Sequence, residues 1–306
     1  MKGKNAQNMD SKTKRYRIAV IIISILLILS IGLNFYLYFG TESNSPLLWL
    51  QSEEFVGDTI IGILRNSEEF RDGEDVVFSY DFDNESYGSL LETYHIRDTA
   101  GEGSEFVKAK NLMHEYSGRI NHNSKVAIPP ENMNADYLLK TYLDNKEEGT
   151  YCRAKAQILN EMCLALGIYA RKLWVLPLSS LDDECHVVNE VWDSHYNKWI
   201  MLDFTNDLYW VDENAEPLSM LEVRDKIIND EFCTPVFSGS DLKDLEKIRQ
   251  NSAYTFAYYV KNLAVLKYMD TYTVGEAKVY TLMPVNYADK KGLDLISREA
   301  VEASPV

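Results

Sequence analysis

An apolar run near the N-terminus constrains this 306-residue chain more than any other feature. From Ile18 to Phe39 no residue is charged, and more than half are Ile or Leu. A bilayer core of about 30 Å needs roughly 20 helical residues, so this segment predicts a transmembrane helix. The alternative is a cleaved signal peptide, whose apolar core is usually shorter and is followed by a small-x-small cleavage site. No such site follows Phe39, so an uncleaved anchor is favoured.

The net charge differs in sign on the two sides of this segment, and this difference predicts its orientation in the membrane. Residues 1–17 hold six basic groups and one acidic group, a net +5, and the total of −16 leaves −16 − 5 = −21 for the remainder. Basic flanks stay in the cytoplasm. We therefore expect a single-pass protein of the cell membrane with an extracytoplasmic domain. The acidity of that domain disfavours nucleic acid as a partner.

Composition and pattern divide the chain into four parts. We expect a cytoplasmic basic tail at 1–17, the anchor at 18–39, an acidic stalk at 40–75 and a folded domain at 76–306. Within that domain we expect a core at about 104–210 and a C-terminal helical extension at 211–306. The patterns predict helices at 104–117, 134–145, 218–228 and 241–268, and strands at 76–80, 170–176 and 278–283.

The segment from Tyr151 to Leu166 predicts a buried helix with a cysteine in its first turn. It contains neither Pro nor Gly, and Gly167 follows as a C-terminal signal. Apolar residues form two rows at helical spacing, Ala156, Leu159, Cys163 and Leu166 in one and Ile158, Met162 and Ala165 in the other. Cys152 lies four residues before Ala156 and therefore on the inward side of the first turn.

The other cysteines and the histidines give weaker signals. Four cysteines are too few for a disulfide framework; Cys163 is expected in the core, and Cys185 and Cys233 either pair or stay free. No Cys-x-x-Cys or His-x-x-x-His pair occurs, so no metal or other cofactor is expected. We expect the histidines without an acidic partner to be surface residues, which are His95, His114, His122 and His195.

Two strand-like segments, His186–Trp192 and Trp199–Phe204, are separated by a turn-rich stretch and predict a hairpin. If Trp192 pairs with Asn197, His186 stands opposite Asp203 on one face, whereas a one-residue slip would separate them. The imidazole would favour the reactive thiolate of Cys152, as would the helix N-terminus, and Asp203 would orient the ring. Cys152, His186 and Asp203 are thus candidate catalytic residues.

Three sequence blocks resemble the transglutaminase-like superfamily. They are Gly149-Thr-Tyr-Cys152-Arg-Ala-Lys-Ala156, His186-Val-Val-Asn-Glu-Val191 and Trp199-Ile-Met-Leu-Asp203-Phe-Thr205-Asn-Asp207. The resemblance implies an α+β, papain-like core in which the helix of the nucleophile Cys152 packs on an antiparallel sheet. Val188 departs from the aromatic residue often found there, and Gly149 lies further from the cysteine than usual.

Members of that superfamily include peptidases, protein crosslinkers, deglycosylases and inactive scaffolds. The resemblance therefore implies a thiol enzyme that acts on amide bonds through an acyl-thioester on Cys152, with the backbone N–H of Cys152 as an oxyanion donor. The expected substrate is a protein, a peptide or a cell-wall peptide. A crosslinking acyltransferase and a non-catalytic surface binding module remain the alternatives.

Overall fold

The computed structural model describes residues 20–30, 59–179, 182–273, 277–287 and 292–305. The chain divides into two units, residues 1–52 and 53–306. In the first, residues 20–30 form an exposed helix, and the remainder of the anchor segment 18–39 lies outside the described residues. Among the described residues, no helix has both the length and the apolar character needed to span a membrane. The anchor therefore stays a prediction.

The helices of the second unit surround its largest sheet. In chain order they are α1 Ile61–Arg65, α2 Ser86–Thr93, α3 Ile96–Ala100, α4 Glu105–Ser117, α5 Ala135–Tyr142, α6 Cys152–Ala165, α7 Met220–Ile228, α8 Leu245–Asn251, α9 Ala253–Asn262 and α10 Arg298–Glu302, with a 3₁₀ turn at Pro130–Asn132. Side-chain oxygens of Ser104, Asn134 and Ser219 cap α4, α5 and α7. These polar residues before apolar periodicity explain why the predicted helix starts lie close to the observed ones.

The strands form one five-stranded antiparallel sheet and three short pairs. They are β1 Ser79–Tyr80, β2 Asn121–His122, β3 Gly149–Thr150, β4 Ala170–Leu176, β5 His186–Asp193, β6 Lys198–Leu202, β7 Leu208–Asp212, β8 Cys233–Phe237, β9 Val265–Met269, β10 Thr271–Tyr272 and β11 Val279–Leu282. The large sheet has the order β11-β9-β4-β5-β6, and the pairs are β1–β10, β2–β3 and β7–β8.

Both faces of the large sheet are covered by apolar cores. One core contains side chains of α6 together with Val191 and Ile200 of the sheet. The other contains Val188, Met201 and Tyr259, the last of these from α9. Helix α6 is buried from Ala154 to Leu164, as two apolar rows require. The expected architecture, with the helix of Cys152 packed on an antiparallel sheet, is confirmed.

The β5–β6 hairpin is present, but its predicted register is wrong. Trp192 pairs with Trp199 rather than with Asn197, because residues 194–197 form the turn and Asn197 adopts a left-handed φ of 53°. The Asp193 carboxylate accepts hydrogen bonds from the N–H groups of His195 and Tyr196, which begins the turn there. The pairing of His186 with Asp203 would have required a turn two residues shorter.

The C-terminal part contributes strands as well as helices to this unit. The predicted helix over 241–268 is wrong, because α9 ends at Asn262 and residues 265–269 form β9. Pairing with β4, in which Leu173 stands opposite Tyr268, overrides the helical pattern of a segment without Pro or Gly. Residues 61–75, assigned to a stalk from the sequence, also pack here: Leu64 is buried, and Glu74 forms a β-bridge with Ile296.

We predict that Gly149→Ala lowers the free energy of unfolding by about 1–3 kcal/mol, the usual range for overpacking. A Cβ at this position would lie 2.6 Å from the carbonyl oxygen of Asn121 in the paired strand β2, and that contact is with backbone. The measurement is urea unfolding followed by tryptophan fluorescence.

The matched control is Gly88→Ala in α2, where no atom outside the neighbouring residues and the backbone of the helix itself lies within 4 Å of the added Cβ. Alanine is the better helix former, so this variant should gain up to about 1 kcal/mol. Equal stability of the two variants would contradict the proposed role of the close approach between β2 and β3.

Candidate active site

Cys152 occupies the first position of α6. The preceding Tyr151 has extended backbone and provides no side-chain cap. The N–H groups of a first helical turn have no intrahelical acceptor, so they favour negative charge near the sulfur of Cys152. Its side chain is half-buried, which leaves the thiol within reach of a substrate.

His186 and Asp203 form a buried ion pair. The Nε2 atom of His186 lies 2.8 Å from Oδ2 of Asp203, and the two side chains are 6% and 0% exposed. His186 and Asp203 still meet in the observed register, because a shift by two residues leaves each side chain on the same face of the sheet. Bonding through Nε2 leaves Nδ1 of His186 for the sulfur of Cys152.

The carboxylate of Asp203 accepts five hydrogen bonds. Oδ2 accepts from Nε2 of His186, from the hydroxyl of Tyr259 at 2.6 Å and from the side-chain amide of Asn206 at 2.7 Å. Oδ1 accepts from the backbone N–H groups of Thr205 at 2.8 Å and Asn206 at 3.3 Å. A fully buried charge requires such pairing.

This environment shifts the pKa values of both His186 and Asp203. Burial alone would lower the pKa of His186, but the charge and hydrogen bond of Asp203, with a smaller contribution from Cys152, raise it to about 10. Burial alone would raise the pKa of Asp203, but the His186 charge and the hydrogen bonds from His186, Tyr259 and Asn206 hold it below the usual value. The pair is therefore imidazolium and carboxylate at neutral pH.

Two tyrosines of α9, absent from the sequence prediction, enclose the histidine. The rings of Tyr258 and Tyr259 stand edge-on to His186 at centroid distances of 5.8 and 6.0 Å. Burial and the Asp203 charge raise the pKa of Tyr259 well above its usual value, so its hydroxyl remains a donor. No local pattern marks Tyr259, which lies 56 residues after its acceptor. Asn206 was more accessible to sequence reasoning, since an Asp commonly bonds the N–H groups that follow it in a turn.

Lys155 adds a buried positive charge to the same helix as Cys152. It is 2% exposed, and its Nζ lies 3.4 Å from the carbonyl oxygen of Ser117. Burial lowers its pKa to about 8, although the charge of Asp203 acts in the opposite direction.

The four histidines outside the candidate triad are exposed, as the sequence predicts, but one of them has an acidic partner. His114 is exposed as expected, but its Nδ1 lies 2.9 Å from Asp207 and 2.7 Å from the hydroxyl of Ser238, so the expectation of no acidic partner is wrong. Both contacts use the same ring nitrogen, so this cluster cannot relay a proton from serine to aspartate. His122 lines a cavity shared with His186.

The remaining cysteines lie outside the candidate triad. Cys163 and Cys233 are buried, Cys185 is exposed, and all are free thiols. Burial raises the pKa of each of the three. Within the described ranges, no cluster of His, Cys, Asp and Glu side chains could hold a metal ion.

We predict that Asp203→Asn and Tyr259→Phe shift the pKa of His186 in opposite directions. The Asn variant removes the charge that opposes burial, so the pKa should fall from about 10 to below the ordinary value of about 6.5. The Phe variant removes a donor from Oδ2, which concentrates the carboxylate charge on the imidazolium and should raise the pKa. The measurement is an NMR titration of ¹³C-labelled histidine rings, with His186→Gln to assign the signal.

Tyr258→Phe is the matched control, because its ring also stands edge-on to His186 while Tyr259 supplies the hydroxyl that bonds Asp203. It should leave the titration unchanged. A Tyr259→Phe variant that also left it unchanged would reduce Tyr259 to a packing role.

Comparison with known proteins gives a family match and a weak likeness to a solved structure. No curated protein matches the sequence significantly. A crystal structure from Cytophaga hutchinsonii, of a protein provisionally named a cysteine protease, resembles the chain with a TM-score of 0.31 and 16% identity. The match covers 49% of this chain and 46% of that one, so the chain spans less than half of its length, and a likeness at this level supports no inference.

The family match falls on the segment that contains the site. Residues 93–204 match the sequence model of the transglutaminase-like superfamily, and they include Cys152, His186 and Asp203. Residues 93–204 of this chain are therefore a transglutaminase-like superfamily domain.

Proposed function

We propose that this chain is a cysteine-dependent enzyme that cleaves amide bonds through an acyl-thioester on Cys152, as a peptidase or amidase. The observation that carries the proposal is the buried imidazolium–carboxylate pair of His186 and Asp203 beside the half-buried Cys152. An imidazolium stabilises an adjacent thiolate, which is the nucleophilic form of cysteine. A binding module would have no need of this arrangement.

In the first half of the reaction, the thiolate of Cys152 attacks the amide carbonyl carbon. The negative charge moves to the carbonyl oxygen, where the N–H of Cys152, without an intrahelical acceptor, can donate to it. His186 then gives its Nδ1 proton to the amide nitrogen, the C–N bond breaks, and the amine leaves. The acyl group stays on the sulfur as a thioester.

In the second half, His186 acts as a base. Its neutral ring takes a proton from water while the water oxygen attacks the thioester carbon, which releases a carboxylic acid and restores the thiolate–imidazolium pair. An amine in place of water would give a new amide and make the enzyme a crosslinking acyltransferase. Proteins, peptides and cell-wall peptides all contain the amide bond that this chemistry requires.

We also propose that residues 18–39 anchor the enzyme in the cell membrane with its domain outside. Support comes from the uncharged apolar sequence and from the basic residues 1–17 that precede it. Peptide substrates would then be those at the outer cell surface.

We predict that Cys152 reacts with iodoacetamide at pH 6 at least about tenfold faster than the other three thiols of the folded chain, since a free thiol is almost wholly protonated there. His186→Ala should remove most of that advantage, and Cys152→Ala all of it. Mass spectrometry of the full-length chain in detergent measures each site separately.

Cys185→Ala is the control, because Cys185 is the exposed free thiol and should not contribute. Uniform slow labelling would contradict the proposal. Dansylcadaverine incorporation into a glutamine peptide, measured against peptide cleavage, then distinguishes transfer from hydrolysis.

We predict that the full-length chain stays in the membrane pellet after alkaline carbonate extraction, whereas a chain of residues 40–306 is released. N-terminal sequencing of the membrane-bound form should show an N-terminus before residue 18, so that the apolar segment 18–39 is retained. A mature N-terminus after Phe39 would instead indicate a cleaved signal peptide.

A further inference from the structure

A cavity of about 370 Å³ opens beside His186. Its lining residues come from β2, β5, the turn after β6, β7, β8 and α9, and the apolar ones are Leu208, Phe237, Tyr254 and Tyr258. Leu208 and Phe237 stand opposite each other in the β7–β8 pair. The volume is near the lower end of the range for ligand pockets, about 300–1,000 Å³, and suits one bulky side chain.

The position of this cavity relates it to one side of the substrate. His186 forms part of its wall, whereas Cys152 is not among its lining residues. In the proposed reaction Cys152 bonds the acyl carbon, and His186 transfers a proton to the nitrogen. A group in the cavity is therefore attached to the amine side of the amide bond, as the leaving amine in the first half and as the acceptor amine in a transfer reaction.

The chemistry of the walls disfavours a cationic group. No Asp or Glu lines the cavity, and the imidazolium of His186 forms part of its wall. Burial, with the charges of Lys155 and His186, lowers the pKa of His122, so that this ring is neutral at pH 7. Phe237 and Tyr254 are 53% and 57% exposed, and large exposed aromatic residues that meet at a cavity are typical of binding surfaces.

We propose that this cavity binds the side chain of the residue on the amine side of the scissile amide and selects an aromatic or bulky apolar one. The inference rests on the proposed function, because it uses His186 as the proton donor to the leaving amine. A cationic side chain would lose its water without finding a carboxylate among the lining residues, and it would lie near the imidazolium of His186. Contact with Phe237 and Tyr254 would favour a large ring.

Competition between water and added amines for the acyl group of an acyl-enzyme tests this site directly. p-Nitrophenyl acetate acetylates Cys152 with release of p-nitrophenol, and added amino acid amides compete with water for the acetyl group. Each transfer breaks the thioester, forms an N-acetyl amide and restores the thiol. At equal concentrations, phenylalaninamide should capture at least about tenfold more acetyl than glycinamide, and lysinamide no more than glycinamide.

Substitutions in the cavity test whether its residues cause the preference for phenylalaninamide. Phe237→Ala combined with Tyr254→Ala should reduce the phenylalaninamide preference to within about threefold of glycinamide. Tyr196→Ala, an exposed tyrosine on the β5–β6 turn, is the control and should retain it. An acetyl-enzyme that forms normally but transfers equally to all three amides would overturn the cavity proposal and leave the proposed function intact.

Absence of a Cys152-dependent release of p-nitrophenol would instead contradict the proposed function. A measurement without turnover still tests the cavity in that case. Calorimetric titration of the full-length Cys152→Ala chain in detergent should show the tripeptide amide Phe-Gly-Gly binding at least about tenfold more tightly than Gly-Gly-Gly. Equal affinities for the two peptides would overturn the cavity proposal. So would a preference for Phe-Gly-Gly that remains after Phe237→Ala and Tyr254→Ala are added to this variant.

Discussion

The site depends on the buried negative charge of Asp203. A carboxylate removed from water is tolerated only when donors replace its hydration, and here five hydrogen bonds do so. The donors come from β5, from the turn after β6 and from α9, so one charge constrains three separate segments. Tyr259 lies beyond residues 93–204, so the C-terminal part contributes to a site whose Cys152, His186 and Asp203 are in the family domain.

The charges at the site also affect how well a thiolate at Cys152 is stabilised. Asp203 and the His186 imidazolium neutralise each other, so a thiolate at Cys152 adds a net negative charge to a largely buried region. The N–H groups at the start of α6, which have no intrahelical acceptor, offset that charge. Lys155, whose pKa of about 8 keeps it mostly protonated at neutral pH, places a further positive charge near Asp203.

The sequence predicted the parts of this site that depend on local periodicity. Helical phase and Gly167 defined α6, and the period of two along a strand placed His186 and Asp203 on one face despite a register wrong by two residues. The contribution of α9 could not be predicted in this way. Tyr259 reaches Asp203 through tertiary packing, and β9 exists because β4 offers it an edge to pair with, neither of which a local pattern records.

In the proposed function, the reacting groups and the residues of the substrate-binding cavity belong to different parts of the chain. Cys152, His186 and Asp203 lie within residues 93–204, where the superfamily match falls, whereas Phe237, Tyr254 and Tyr258 of the cavity beside His186 lie outside it. The superfamily match therefore falls on the segment that carries the thiol, and the proposed reaction rests on that segment. In the proposed function the group bound beside His186 contacts β8 and α9, so the substrate preference can change without any change in the reacting groups.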